Sequence, residues 1–177
     1  MNLKKELIRE HSKRLTVKII NYVSDDQKRF DELLRYFFSK DEIISSHAAW
    51  AMSYCGQEHP QLLKKHLPKM ISNLKKKVHP AIKRNTMRVM EKIEIPEKLQ
   101  GKAFEACLEL ITSANETIAV KAFAMGVAAN ICKEQVDLIP EFKMIITSQE
   151  MTDSPAIKNR IKKILLSLNK TAKAPMG

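Results

Sequence analysis

The sequence predicts an all-α chain built as a solenoid of stacked helix–turn–helix units. Three observations carry that prediction. One apolar pattern recurs at spacings of 38, 38 and 37 residues, each copy fitting one face of an α-helix. A second apolar stripe precedes every copy, so each repeat contains two helices. Only 4 of 177 residues are Gly, and no strand-like alternation with hairpin turns occurs. Few glycines disfavour folds that depend on glycine turns, and a glycine-rich phosphate loop as well. The composition, 44% hydrophobic and 29% charged, is that of a globular chain.

Taken in order, the first unit is the weakest. Leu15, Ile19, Tyr22 and Val23 form its second-helix stripe, and the spacing of 29 to the next copy predicts a shortened unit. In the second unit Phe30, Leu33, Leu34, Phe37 and Phe38 precede Ile44, Ala48, Ala51, Met52 and Cys55. In the third, Leu63, Leu67, Met70, Ile71 and Leu74 precede Ile82, Thr86, Val89, Met90 and Ile93. In the fourth, Phe104, Cys107, Leu108 and Ile111 precede Val120, Ala124, Val127, Ala128 and Ile131. In the fifth, Ile139, Phe142 and Ile146 precede Ile157, Ile161, Ile164, Leu165 and Leu168. Neither helix of a unit buries its stripe alone, whereas stacking the units buries both. Pro60, Pro80, Pro96 and Pro155 fall where helices should begin, and Ser154-Pro155 reads as an N-cap followed by proline at the first helical position. Residues 1–169 are expected to form a single domain, and residues 170–177, which lack a stripe, a disordered tail.

The segment from Leu62 to Ile71, with Pro68 inside it, followed by Ala81-Ile82-Lys83, resembles a HEAT repeat. HEAT repeats tend to carry a proline in the first helix and to open the second with an aliphatic residue followed by a basic one. Ile82-Lys83, Val120-Lys121 and Ile157-Lys158 match, whereas Ile44-Ser45 departs. Ala48-Ala49-Trp50-Ala51-Met52 is similar to the small-residue run of HEAT second helices. The resemblance covers roughly residues 12–168. It implies an αα-superhelix of about five armadillo-like or HEAT-like repeats, with the second helices lining the concave surface. HEAT-like DNA alkylation-repair glycosylases are similar in being basic. They carry tryptophans and a catalytic aspartate on that surface. Here only Trp50 matches such a tryptophan, and the four well-matched second helices contain no Asp and one acid, Glu91.

At about 100° per residue, offsets 2, 6 and 9 of each second helix point away from the core stripe. They place Ser46, Trp50 and Ser53 outward in the second unit, and Arg84, Arg88 and Glu91 in the third. In the fourth and fifth they place Ala122, Gly126 and Ala129, then Asn159, Lys163 and Leu166. Trp50, Arg84, Arg88 and Lys163 are therefore candidate binding residues. Arginine forks onto carboxylate or phosphate, and tryptophan offers a stacking surface. The plainer readings are Trp50 packed against a neighbouring unit and the arginines as a solvated helix face. Lys83, Lys121 and Lys158 recur one position into each copy and are expected to bond helix ends or loop acids, such as Asp153 beside Lys158.

The net charge of +11 is localised. Residues 61–92 hold ten Lys or Arg and one acid, and residues 156–177 hold six and none. Lys75, Lys76 and Lys77, in the inter-helix turn of the third unit, either contact phosphate or cap the end of the first helix. The favoured function is a non-enzymatic interaction module binding an acidic protein or peptide. The alternatives are nucleic-acid binding through the basic third repeat and C-terminal helix, and then a glycosylase-like enzyme.

No catalytic or cofactor motif emerges. The histidines (His11, His47, His59, His66 and His79) form no His-Glu-x-x-His arrangement, and Cys55 with His59 is a weak metal pair. No metal and no cofactor is expected. The three cysteines lack C-x-x-C spacing and are expected as reduced, packed thiols. No signal-like run opens the chain and no window reaches the roughly 18 apolar residues of a membrane helix, so a cytoplasmic protein with no membrane partner is expected.

Overall fold

The computed structural model describes residues 1–149 and 154–171, and among these it is helical throughout, without strands. Ten α-helices follow as five successive pairs. The chain divides into two compact units, Met1–Ile93 and Glu94–Gly177. The first holds α1 (Leu3–Arg9), α2 (Lys13–Val23), α3 (Gln27–Phe37), α4 (Glu42–Glu58), α5 (Leu67–Leu74) and α6 (Pro80–Met90). The second holds α7 (Glu97–Thr112), α8 (Ile118–Glu134), α9 (Ile139–Ser148) and α10 (Pro155–Thr171).

Helix starts are set by short polar side chains that take up otherwise orphaned N–H groups. Asp26 accepts from the Lys28 and Arg29 amides, and Asp41 from those of Ile43 and Ile44. Ser12, Thr117 and Ser154 cap α2, α8 and α10 in the same way. Pro80 and Pro155 open α6 and α10 as the sequence predicts, whereas Pro96 sits one step earlier, as the N-cap of α7.

The first helix of the third repeat is not continuous. A 3₁₀ turn, Pro60–Leu63, precedes α5, and Pro68 occupies the first turn of α5. Proline lacks the N–H that a longer helix would need there, so the helix restarts. Pro140 repeats the arrangement between the 3₁₀ turn Val136–Leu138 and α9. At the other end, α10 runs to Thr171, whose hydroxyl donates to the Ser167 carbonyl, so Lys170 is helical. Residues 172–177 of the expected tail lie outside the described residues.

Most of each stripe is buried, while Tyr22, Phe38, Ile93, Leu108 and Leu165 are only partly so. Phe30, Phe37, Leu33, Leu63 and Met70 are sealed in the first unit, and Phe142, Val127 and Ile161 in the second. Each such side chain contributes about 1.5–3 kcal/mol of burial. In the first unit α4 packs on α3 of its own repeat and on its neighbours α2 and α6. In the second, α8 packs on α7 and on α10. That two-sided packing overturns part of the predicted outward face, because Ser53, Gly126 and Ala129 are buried. A second helix has two buried flanks, one toward its partner helix and one toward the next second helix.

Small residues make the approach possible. Gly56 lies so close to the 3₁₀ turn and α6 that a Cβ there would stand 2.5 Å from Leu63 Cδ1 and 2.9 Å from Val89 Cγ2. Ser53 donates to Asn85 Oδ1 at 3.2 Å, a buried bond joining α4 to α6, and Asn85 donates onward to the Ala81 carbonyl.

The first-helix layer is tied by Asp31. Its carboxylate accepts from Gln27, Lys65 Nζ at 2.6 Å and His66 Nε2 at 2.7 Å, joining α3 to the segment before α5. Burial raises its pKa, but the three hydrogen bonds and the Lys65 charge outweigh it and bring it to about 2. The second unit has its own polar tie: buried Gln100 donates to Glu134 and to the Ile95 carbonyl, and accepts from Gln135.

Candidate functional site

With both flanks of α4 occupied, its remaining face carries the large side chains. Ser45, Ala48, Ala49, Ala51, Ser53 and Gly56 admit the neighbouring helices. His47, Trp50 and Tyr54, at i, i+3 and i+7, share the open face. Trp50 is half-buried, so it is neither sealed in the core nor free in solvent.

The rings form one cluster. His11, in the turn between α1 and α2, stacks on His47 with centroids 4.4 Å apart and planes 7° from parallel. Trp50 meets His11 edge-on at 4.9 Å, and Tyr54 lies 6.4 Å from Trp50. His47 Nδ1 sits 2.7 Å from the Leu7 carbonyl oxygen, which can only accept, so Nδ1 carries a proton. This bond ties the end of α1 to α4.

Cations border the rings. Arg88 Nη2 donates to Tyr54 Oη at 2.7 Å, and its guanidinium carbon lies 4.5 Å from the Tyr54 ring centroid. Arg84 is exposed on the same helix, α6. Among the described residues neither arginine is ion-paired with a carboxylate. The arginine charges also act on the neighbouring titratable groups. The Tyr54 hydroxyl is held below its ordinary range by the Arg88 hydrogen bond, against the opposing effect of burial, with Trp50 and the charges of Arg88 and Lys13 adding to the lowering. His11 is pushed down by burial, then by His47 and Arg84.

Of the residues singled out from sequence, Trp50, Arg84 and Arg88 belong to this one surface. His11, His47 and Tyr54 were not anticipated. The i, i+3, i+7 spacing on α4 was an available signal for His47 and Tyr54, whereas His11 arrives only through the packing of α1 and α2. Lys163 is exposed on α10, in the second unit. There a shallow cavity of about 510 Å³ is lined by Lys158, Lys162, Leu165, Leu166 and Asn169.

Lys75 is the C-cap of α5, and Lys76 and Lys77 follow it. Lys76 and Lys77 line a cavity of about 400 Å³ between the α3–α4 and α5–α6 turns. Of the lysine ladder, Lys121 borders a small cleft with Glu116, and Asp153 lies outside the described residues.

The second helices α2, α4, α6, α8 and α10 carry no Asp, and Glu91 is the C-cap of α6. Among the described residues no group of three or more His, Cys, Asp or Glu is placed to hold a metal. Cys55 and His59 meet only through the backbone, where the His59 amide donates to the Cys55 carbonyl. All three cysteines are buried and none is in a disulfide among the described residues; burial pushes the thiols of Cys55 and Cys132 up to about 12 and raises that of Cys107 as well. No described helix is long and apolar enough to cross a membrane.

Comparison with curated proteins and with solved structures finds no match. The family model described as HEAT repeat domain does match, over residues 3–168. That span takes in all five helix pairs, and the chain belongs to the HEAT repeat domain family.

Proposed function

We propose that the second-helix surface of the first unit docks an acidic segment of a protein partner. Arg84 and Arg88 bind its carboxylates while Trp50 and Tyr54 cover its apolar stems. HEAT repeats generally mediate protein interactions, and the family is generally non-enzymatic. The observation that carries the finer reading is the pairing of two arginines, uncompensated by carboxylates among the described residues, with an accessible aromatic platform. Arg88 is already positioned by Tyr54, so less side-chain freedom is lost when a carboxylate joins it. The stacked histidines and the Leu7 carbonyl fix the rim of the platform.

The test uses the sole tryptophan as its own reporter. An acidic peptide containing one aromatic residue should change Trp50 fluorescence saturably. Arg84→Ala with Arg88→Ala should weaken binding at least tenfold, the scale of about 1.5–3 kcal/mol per lost charged hydrogen bond. An oligonucleotide binding far more tightly, with affinity falling steeply in salt, would replace this reading with nucleic-acid recognition. Trp50→Ala, followed by calorimetry, should lose binding with the melting temperature nearly kept. A collapse in stability instead would assign Trp50 to the core.

A further inference from the structure

A second place in the first unit gathers positive charge. The α3–α4 turn and the α5–α6 turn lie side by side and enclose a cavity of about 400 Å³. That volume is within the usual range for small-ligand pockets. Its floor is apolar, with Phe37 and Ile82 buried. Its lining takes Lys40 from one turn and Lys76 and Lys77 from the other, all three exposed, and Glu42 is the one carboxylate among the lining residues. Among the described residues these three lysines have no ion-pair partner. Asn73 also lines the cavity, and its side-chain amide makes no hydrogen bond to another described group.

Three exposed lysines around one cavity, with a single carboxylate among the lining residues, give it a net positive charge that an anion would offset. We propose that this cavity binds a phosphate monoester. Such a group carries nearly two negative charges at neutral pH and three acceptor oxygens, matching several ammonium donors and an amide. A carboxylate brings one charge and two oxygens. A phosphodiester backbone brings only one charge per phosphate and no terminal phosphate group. The apolar floor suits the carbon attached to the ester oxygen. The site is independent of the α4–α6 ring surface, and either can fail without the other.

The test is an amide-resolved NMR titration of the full chain with inorganic phosphate, against chloride at equal ionic strength. Saturable shifts are expected at residues 38–42 and 75–79. Lys76→Ala with Lys77→Ala should weaken binding at least tenfold. Lys4→Ala with Lys28→Ala, removing two charges elsewhere, should change it less than twofold. A phosphoserine peptide binding more tightly than inorganic phosphate identifies a phosphorylated chain as the source, and equal affinity identifies a free phosphate ester. The absence of saturable shifts, their reproduction by chloride, or affinity that survives the Lys76/Lys77 double variant overturns the proposal.

Discussion

Gly56 is where the closeness of repeats in the first unit can be measured. An alanine Cβ there would lie 2.5 Å from Leu63 Cδ1, 3.0 Å from Leu63 Cγ and 2.9 Å from Val89 Cγ2. Optimal carbon–carbon separations are about 3.5–4.0 Å, so all three contacts are repulsive. Leu63 and Val89 are fully buried and cannot swing into solvent. Overpacking of this kind costs about 1–3 kcal/mol. The gain from replacing glycine within a helix is at most about 1 kcal/mol. Gly56→Ala should therefore destabilise by about 1 kcal/mol net, the strain term exceeding the propensity term. Leu63→Ala alone should cost about 3 kcal/mol, from the range for buried leucine truncation. In the double variant two of the three clashing atoms are gone and the new methyl fills part of the hole. The two substitutions should therefore couple favourably by about 1–2 kcal/mol. Urea unfolding followed by the fluorescence of Trp50, on the same helix, measures each corner of the cycle. Additive effects, or a Gly56→Ala variant more stable than the parent, would refute the close approach of α4 to the 3₁₀ turn.

Two further outcomes follow from single residues. Ser24 has φ 46° and ψ −130° in the turn after α2, closed by the Asp26 amide donating to the Val23 carbonyl. Glycine adopts that conformation without strain, so Ser24→Gly should raise stability by about 1 kcal/mol in thermal unfolding. A loss of stability would contradict the assigned turn. The depression of Asp31 from 3.8 to about 2 corresponds to roughly 2.4 kcal/mol, reduced to about 1 kcal/mol for a carboxylate a third open to solvent. Because the folded pKa lies below the unfolded one, this stabilisation is fully present above about pH 4 and fades as pH falls toward 2. Asp31→Asn should remove it at neutral pH and flatten the stability profile between pH 4 and 2. An unchanged profile would show that the bonds from Lys65, His66 and Gln27 do not hold in solution.

Much of the fold is legible in the sequence because a helical stripe is a local property. Ile44, Ala48, Ala51, Met52 and Cys55 are all buried, as are Val120, Ala124, Val127, Ala128 and Ile131. Their spacing alone selects one face at 3.6 residues per turn. Pro68 likewise shows in the sequence as a family feature, yet its effect, a restarted helix, depends on the chain on both sides of it. The site was legible only in part. Trp50, Arg84 and Arg88 stand out as an aromatic and two cations off the stripe. Ser53 looked equivalent to Trp50 by angle, and it is buried against Asn85 because the neighbouring repeat packs on that flank.

The sequence by itself determined the helices after α1, their pairing into repeats and most of the residues that fill the core, since these follow from periodicity, caps and prolines within a few turns of chain. The tertiary structure decided which polar residues become surface. Stacking α2, α4 and α6 left one narrow open face on α4. It carried His11 onto His47 across 36 residues of chain. In the same way it brought Lys40 to Lys76 and Lys77 around one cavity. Contacts between repeats depend on how closely two helices approach, and that distance is set by small residues such as Gly56 acting together with their neighbours.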